Sequence, residues 1–492
     1  MVQVYGFCLN KTGRNVRIET FVPQNAGRTF FPEITKEDSV LKEREQLGSR
    51  LGFILLSAGC AIGIGNVWKF PWLVGQNGGG AFVLVYLIFL AIMGVPVMTM
   101  EFAMGRASQA SPVTMYRRLE PKGSLWHLHG YAAVAGNYII MMFYTSVCGW
   151  MIQYFCTTAA GAFTGLDTDG VAAEFNNMMA SPARQWGFMA VSVIAGFFIL
   201  SMGLQQGVER ITKFMMTALI LIMIVLAFNS ILAPGGSEGL SFYLRPDFAR
   251  LREAGVWNVV QQAMNQAFFT LSVGMGGMAI FGSYIGKDHS LMGESVNVAL
   301  LDTFVALTSG LIIFPACFAY GVEPDAGPSL IFITLPNIFN HMRLGRLWGS
   351  LFFVFMSFAA MSTVIGVFEN IIAMFRDLTG MGRKKACLIN TFLMLILATP
   401  CALAPNLLAG IQPMGPGTSI MDLEDFLVSN LILPLGAFIF CIFCTRKIGW
   451  GWDSFVKEAN TGKGMKVASW MRFYLTWILP VLFLIVFIMG II

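Results

Sequence analysis

Two apolar stretches of the sequence are interrupted by glycines and by polar residues that hydrocarbon cannot solvate. One runs from Gly59 to Asn66 and the other from Ser272 to Gly277, and each holds three glycines. Glycine weakens a helix by up to about 1 kcal/mol per residue, so both stretches should break a helix and leave N–H groups at one end and carbonyls at the other. Such backbone is tolerated at membrane depth only where it lines a cavity. The pattern predicts a midplane site for an anion and a cation, although Gly59 and Gly63 also form a GxxxG pair that by itself favours helix packing.

Three carboxylates lie inside apolar stretches, where an unpaired charge is costly and therefore marks function. They are Glu101, Asp302 and Glu369. Two interpretations stay open for them. They can serve as ligands or partners of a cation, or they can carry protons.

The amino-acid composition indicates that these polar residues lie in a membrane protein. Of 492 residues, 56% are hydrophobic and only 12% are charged, about half the charged share of soluble proteins. The mean hydropathy is +0.68. An integral membrane protein is predicted, and nucleic-acid-binding, secreted and disulfide-scaffold proteins are excluded as classes.

Eleven apolar runs are long enough to cross a bilayer at about 20 residues each. They begin near Leu51, Ala81, Gly130, Trp186, Ile211, Trp257, Ser295, Leu347, Ala386, Leu423 and Val467. Glycine breaks in the first and sixth runs are typical of two five-helix repeats of opposite topology. We therefore expect an all-α membrane protein with a 5+5 inverted repeat, broken helices 1 and 6, and one extra helix. The expected divisions are a cytoplasmic tail over 1–43, repeats over 44–235 and 236–446, and an inner loop with the last helix over 447–492.

The distribution of Lys and Arg predicts the orientation. Most of them fall in the loops that lie inside if the amino terminus is cytoplasmic, as the positive-inside rule requires. An odd number of spans then places the carboxyl terminus outside.

Several motifs along the chain carry a specific resemblance. They are Gly63–Pro71, Asn77–Phe82 and Glu101–Arg106 in the first two spans, Phe268–Ser272 in the sixth, Phe332–Pro336 in an outer loop, and Ala359–Thr363 in the eighth. Over residues 44 to 445 the sequence resembles the neurotransmitter:sodium symporter family, and in particular its bacterial amino-acid carriers of the leucine-transporter type. The resemblance implies a fold of inverted repeats with broken helices.

The resemblance implies two sodium sites built from carbonyls, hydroxyls and one carboxylate. The first would use Ala61, Asn66, Thr270 and Asp302. The second would use Gly59, Ile62, Ala359, Ser362 and Thr363. Two adjacent hydroxyls in a helix often only bond back to their own backbone, but their place opposite the first break favours ligands.

Asp302 is a departure from the family, whose first sodium site has an asparagine there, and it bears on the chloride-dependent relatives. Those relatives hold chloride beside a tyrosine, a glutamine and two hydroxyls; Tyr86, Gln266 and Thr270 are present, but Ala306 replaces the second hydroxyl. Because Asp302 supplies a permanent negative charge, no chloride requirement is expected.

The resemblance also implies where a substrate would bind. Its carboxylate would lie on the N–H groups of Ile64 and Gly65, with a hydrogen bond from Tyr144. Monoamine-carrying relatives have an aspartate where this chain has Gly63, so an amino acid with its own carboxylate is expected. The implied substrate positions are Ala61, Ile64, Gly65, Ile140, Tyr144, Phe269, Thr270, Ser272, Met275, Thr363 and Val367. Most are apolar, which favours a neutral aliphatic or aromatic side chain.

Two ion pairs would close the pathway, again by resemblance. Lys69 and Asp425 would form the outer gate, although lysine cannot make the planar bidentate pair of arginine. Arg44 and Asp377 would form the inner gate, with Tyr284 nearby.

The sequence thus predicts a sodium-coupled symporter that imports a neutral hydrophobic amino acid by alternating access. It is not expected to be an enzyme or to bind nucleic acid. A multi-pass protein of the plasma membrane is expected, in a prokaryotic cytoplasmic membrane, with the lipid bilayer and a small amino acid as partners. Proton coupling, or a non-transporting sensor or channel on the same scaffold, are the alternatives. The oligomeric state is not predicted.

Overall fold

The structure, a computed structural model, describes residues 6–9, 15–18, 45–321 and 330–491. The chain divides into two units, Met1–Glu43 and Arg44–Ile492. In the first unit, strands β1 (Gly6–Leu9) and β2 (Asn15–Ile18) pair antiparallel, with Gly6 opposite Ile18. The sequence was not expected to form a hairpin in this tail.

The second unit is helical. Its first half contains α1 (Arg50–Ala61), α2 (Phe70–Gln76), α3 (Gly80–Phe89), α4 (Val95–Ser108), α5 (Pro112–Leu119), α6 (His127–Ala160), α7 (Thr168–Ala180), α8 (Pro182–Ser201), α9 (Arg210–Ile231), α10 (Gly236–Leu244) and α11 (Phe248–Glu253). Short π-helical segments lead into α2, α4 and α9: Gly65–Lys69, Leu90–Gly94 and Leu204–Glu209.

The second half contains α12 (Val256–Thr270), α13 (Gly277–Gly282), α14 (Leu291–Ala319), α15 (Leu335–His341), α16 (Gly345–Thr379), α17 (Arg383–Leu403), α18 (Ile420–Phe426), α19 (Leu433–Thr445), α20 (Trp452–Ala459), α21 (Met471–Phe473) and α22 (Leu479–Met489). Its π-helical segments are Leu330–Thr334, Leu427–Ile432 and Tyr474–Ile478.

The described residues contain nine helices long and apolar enough to cross a membrane. The pair Arg50–Ala61 and Gly65–Gln76, bent by 60° at its break, makes a tenth. The sixth predicted span corresponds to α12 and α13, which are separated at residues 271–276. Both glycine breaks are therefore present, while the total of eleven spans stays a prediction.

Close backbone contacts fix the two broken segments in the bundle. A Cβ on Gly366 of α16 would come within 2.7 Å of Cys60 in α1, and one on Gly105 of α4 would lie 1.7 Å from the Ala279 carbonyl oxygen in α13. Because interiors are close-packed, such contacts resist displacement. The helices α16 and α4 thus hold α1 and α13, one half of each broken segment, in place.

Candidate functional site

The first break turns the chain at the end of α1. Ile62 caps the helix in an extended conformation (φ −70°, ψ 101°). The Gly63 N–H donates to Asn66 Oδ1 at 3.1 Å, and the Ile64 N–H donates to the Tyr144 hydroxyl oxygen of α6 at 3.0 Å. The freed backbone is thus satisfied by side chains, as irregular backbone in a membrane requires.

The two glycines of the GxxxG pair have different neighbours. A Cβ on Gly59 would lie 3.1 Å from Thr212 of α9, an ordinary packing neighbour. A Cβ on Gly63 would lie 2.5 Å from the Tyr144 hydroxyl and 2.7 Å from Thr363 Oγ1. Gly59 therefore serves close helix packing, whereas Gly63 leaves room among polar groups that face the break.

One polar cluster joins the first break to α12 and α14. The Asn66 amide nitrogen donates to Asp302 Oδ1 at 2.8 Å and to Thr270 Oγ1 at 3.0 Å, and the Thr270 hydroxyl donates to Asp302 Oδ2 at 3.0 Å. All three side chains are buried. Ala61, the fourth residue predicted here, is the last residue of α1. The cluster brings together a carboxylate, a hydroxyl and an amide, which suits a hard cation once the amide turns its oxygen inward.

The surroundings of this cluster contain unused polar atoms. Within the described residues, the Tyr86 hydroxyl and Gln266 Oε1 are buried without a hydrogen-bond partner. Ala306, one turn after Asp302 on α14, is fully buried and offers only a methyl group. The carboxylate of Asp302 is therefore the anionic group at this position.

A second polar cluster joins α1 to α16. Thr363 Oγ1 lies 3.1 Å from the Ile62 carbonyl oxygen and 3.4 Å from those of Gly59 and Ala359. Ser362 Oγ lies 2.9 Å from the Ala359 carbonyl oxygen and 3.4 Å from that of Ile62. Both hydroxyls bond back within α16, as serine and threonine often do, but they also reach the carbonyls at the first break. All five predicted groups thus converge.

Apolar side chains predicted to surround a substrate come from three elements. Ile140 lies on α6, Met275 lies in the second break and Val367 lies on α16, and all three are buried. Ser272 has a left-handed backbone (φ 51°). Phe269 lies close to the first break, because a Cβ on Gly65 would be 3.0 Å from its ring.

Glu101 of α4 is tied to the second break. Its Oε1 accepts a hydrogen bond of 2.5 Å from the Gly274 N–H, where the backbone has a φ of 105° that glycine tolerates. Within the described residues its Oε2 is buried and has no partner. Glu101 therefore holds the irregular backbone of the sixth segment.

The structure does not bring Lys69 and Asp425 together. Lys69 Nζ lies 4.5 Å from the centroid of the Phe269 ring, a cation–π arrangement. Asp425 Oδ1 accepts a hydrogen bond from Ser429 at 2.7 Å, one turn further along. Among residues 45–321 and 330–491 no ion pair joins the two. The expected outer pair is therefore absent from this conformation because each side chain has a nearer local partner.

At the opposite side, Arg44 lies outside the described residues. Asp377 accepts a hydrogen bond of 2.7 Å from the Ser111 N–H. Tyr284 donates to Glu369 Oε1 at 2.8 Å. Pairing of Arg44 with Asp377 therefore stays a prediction.

Three residues near this side were missed from the sequence. Arg383 binds Glu369 with both guanidinium nitrogens, at 2.6 and 2.8 Å, and it binds Glu45 at 2.9 Å. Arg376 binds Glu45 at 2.7 Å. The signal was Glu369 itself, because a buried carboxylate in a membrane needs a cation. We call Glu45, Glu369, Arg376 and Arg383 the inner clasp.

The inner clasp should hold the segment that precedes α1 against α16 and α17. Burial alone would raise the pKa of Glu45, but Arg383 and Arg376 outweigh it and hold the pKa below its ordinary value. Since the folded pKa is lowered, this stabilisation is present at neutral pH and is lost as the pH falls through the lowered pKa.

Replacing Glu45 with glutamine should loosen the inner clasp. A half-exposed ion pair contributes up to about 1 kcal/mol, so labelling of Cys60, which is buried against α16, is expected to accelerate about fivefold. Labelling by a methanethiosulfonate, followed by peptide mass spectrometry, measures this rate. Glu174→Gln, which breaks the exposed pair of Glu174 with Arg184, is the control. If Cys60 were labelled at the same rate in Glu45→Gln as in the wild type, the inner clasp would have no role in gating.

Comparison with known proteins identifies the family. The model of the sodium:neurotransmitter symporter family matches residues 44–166 and 171–492. The uncharacterised sodium-dependent transporter YhdH of Bacillus subtilis is 33% identical over 448 residues, which cover 90% of this chain and 97% of that protein. An uncharacterised sodium-dependent transporter of Haemophilus influenzae is 30% identical over 462 residues, covering 91% and 98%.

A solved structure agrees with these sequence matches. The crystal structure of MhsT in complex with L-phenylalanine is similar with a TM-score of 0.81 and 36% identity, over 91% of this chain and 100% of that one. The chain belongs to the sodium:neurotransmitter symporter family and is a sodium-dependent transporter of the membrane.

Proposed function

We propose that this protein imports a neutral hydrophobic amino acid, driven by two sodium ions, through alternating access to a site between the two breaks. The observation that carries the proposal is the pair of oxygen-rich clusters on opposite sides of the first break. One centres on Asp302 and the other on Thr363. An ion in each would be coordinated by backbone carbonyls and hydroxyls, and the ion at Asp302 would neutralise a buried carboxylate at membrane depth.

The first sodium site is assigned to Ala61, Asn66, Thr270 and Asp302, and the second to Gly59, Ile62, Ala359, Ser362 and Thr363. Ion binding at the first site requires the Asn66 amide to turn, because its nitrogen faces Asp302 at 2.8 Å. Hard cations favour a carboxylate over an amide, and Ala306 leaves no hydroxyl for an anion. Transport is therefore proposed to be independent of chloride.

The substrate carboxylate is assigned to the first break. Tyr144 already lies 3.0 Å from the Ile64 nitrogen, so a carboxylate placed there can accept from the N–H and from the phenol together. Gly63 offers no carboxylate for an amine, and any side chain at this position would meet Tyr144 and Thr363. Both facts favour an amino acid over a monoamine.

The side chain of the substrate would lie among Ile140, Phe269, Met275 and Val367. Three of these are buried aliphatic or thioether groups, and methionine adapts to ligands of different shape. MhsT, the similar solved structure, is in complex with L-phenylalanine, which supports an aromatic or aliphatic substrate here.

We further propose eleven spans with two inverted five-helix repeats, over 44–235 and 236–446, with the amino terminus inside and the carboxyl terminus outside. Spans one, two, six and seven would rock against the rest around the central site. The pairs Lys69–Asp425 and Arg44–Asp377 would close the two pathways in alternate conformations. A prokaryotic cytoplasmic membrane is the proposed location.

Two sodium ions provide enough free energy for concentrative uptake. A tenfold gradient gives about 1.4 kcal/mol per ion, and 100 mV gives about 2.3 kcal/mol per charge. Two ions therefore supply roughly 7 kcal/mol. A leak pathway would dissipate this free energy, so coupling to sodium requires a carrier rather than a channel.

Uptake by purified protein in liposomes tests the proposal. With a sodium gradient at fixed pH on both sides, radiolabelled phenylalanine or leucine is expected to accumulate, and replacement of sodium by potassium should abolish accumulation. An excess of other hydrophobic amino acids should compete, whereas aspartate, lysine and serotonin should not. Accumulation driven by a proton gradient without sodium would favour the proton-coupled alternative, and sodium-dependent binding without uptake would favour a sensor.

A further inference from the structure

A cleft of about 680 Å³ opens where α8 ends and α9 and α17 begin, on the face predicted to be cytoplasmic. It is lined by Ser201, Met202, Gln206, Arg210 and Lys384. None of these residues belongs to the ion clusters, the substrate positions or the gates. The transport cycle as proposed thus leaves the cleft without a role.

Two cations close to the cleft in sequence have acidic partners, whereas the two cations that line the cleft have none within residues 45–321 and 330–491. Lys213 pairs with Glu209 at 2.6 Å, and Arg383 pairs with Glu369 at 2.6 Å. In the described part of the chain, Arg210 and Lys384 are exposed and form no ion pair. The cleft therefore keeps two unpaired positive charges, and Lys385, the next residue of α17, is also exposed and forms no ion pair among the described residues.

Apolar side chains lead away from the cleft along the flanking helices. Leu388 and Phe392 follow Lys384 at steps of four residues on α17 and are 60% and 61% exposed, and Phe198 on α8 is 65% exposed. Residues four apart share one helix face. A strip of outward-facing apolar groups thus begins directly beside the positive charges, and the site as a whole is amphiphilic.

We propose that the cleft binds the phosphate of an anionic phospholipid between Arg210 and Lys384, with its acyl chains against α8 and α17. Basic pockets between membrane helices on this side are suited to anionic headgroups. A zwitterionic lipid has no net negative charge to offset the two cations, and a free phosphate would not use the apolar strip. The lipid matches both halves of the site.

The experiment uses the full-length protein in detergent, titrated with phosphatidylglycerol or phosphatidylcholine, with bound lipid counted by native mass spectrometry. One basic residue near anionic lipid contributes about 1 kcal/mol, or about fivefold in affinity. Arg210→Gln combined with Lys384→Gln is therefore expected to weaken phosphatidylglycerol binding about 25-fold and to leave phosphatidylcholine binding unchanged.

The matched control removes the same charges elsewhere on the same predicted face. Lys447 and Arg472 are both exposed, and Lys447→Gln with Arg472→Gln should bind phosphatidylglycerol like the wild type. Equal binding by the cleft variant and the control would overturn the proposal. Displacement of phosphatidylglycerol by inorganic phosphate at equal concentration would also overturn it, since the site would then bind a free anion.

A single variant keeps the proposal testable if the double variant fails to fold. Lys384→Gln alone should still weaken phosphatidylglycerol binding about fivefold, and Lys384→Arg should bind it like the wild type. Binding by Lys384→Gln equal to that of the wild type would overturn the proposal.

Discussion

Replacing Asp302 with asparagine is expected to lower sodium affinity by a hundredfold or more and to stop uptake at physiological sodium. The carboxylate is fully buried and accepts hydrogen bonds from Asn66 and Thr270. Removal of one partner from a buried charge interaction costs about 3 to 5 kcal/mol, and each 1.4 kcal/mol is about a factor of ten. Equilibrium sodium titration of substrate binding by scintillation proximity measures the shift.

The residue at position 302 should also determine whether transport requires chloride. Adding Ala306→Ser to Asp302→Asn places a hydroxyl one turn from the new amide, and the buried Tyr86 hydroxyl has no hydrogen-bond partner among the described residues. Chloride could then supply the missing negative charge, so uptake by the double variant is expected to return only when chloride is present. Ala306→Ser alone keeps the carboxylate and serves as the control, with no chloride requirement. Wild-type uptake that ceases when gluconate replaces chloride would contradict the assignment of Asp302.

The breaks could be predicted from sequence because their cause is local. Glycine clusters and an asparagine inside apolar runs interrupt a helix whatever surrounds them, and the structure interrupts the helices at Ile62 and after Thr270. Apolar runs likewise locate the membrane helices, since length and hydropathy decide them. The hairpin Gly6–Leu9 with Asn15–Ile18 was missed because its strands are only four residues long and only the second, Asn15–Ile18, alternates polar and apolar residues.

The ion clusters required the family resemblance as well as the residues. Nothing in the local sequence of Ser362 and Thr363 separates a ligand from a hydroxyl bonded back to its own helix, and the structure shows both kinds of contact. The distance from Thr363 to the Ile62 carbonyl depends on how α16 packs against α1. Long-range packing of this kind is not encoded in any one segment.

The ion pairs of the gates also could not be predicted from local sequence. Lys69 was expected to pair with Asp425, but a ring was available at 4.5 Å and a hydroxyl was available to Asp425. The inner clasp was missed because Arg383 reaches Glu369 only after the chain turns at Gly380. Long charged side chains can reach several partners. Which ion pair forms therefore depends on the fold and cannot be predicted from the sequence alone.

The second large effect is expected at Thr363, where a change to valine keeps the shape and removes the hydroxyl. This oxygen lies within 3.4 Å of three carbonyl oxygens, those of Gly59, Ile62 and Ala359. Loss of one buried polar partner costs about 1 to 3 kcal/mol, so a fivefold to 150-fold loss of apparent sodium affinity is expected. Adding Ser362→Ala should deepen it.

The cooperativity of sodium separates this site from the one at Asp302. With two ions bound per cycle, the Hill coefficient for sodium in wild-type uptake should exceed one, and Thr363→Val should bring it close to one at accessible sodium concentrations. Thr363→Ser keeps an oxygen at the same position and should retain affinity within about threefold. Because Thr363 also borders the proposed substrate position, the substrate affinity at saturating sodium must be measured in parallel. A valine variant with unchanged sodium dependence but weakened substrate binding would place Thr363 in the substrate pocket alone and leave the carbonyls of the first break without a cation.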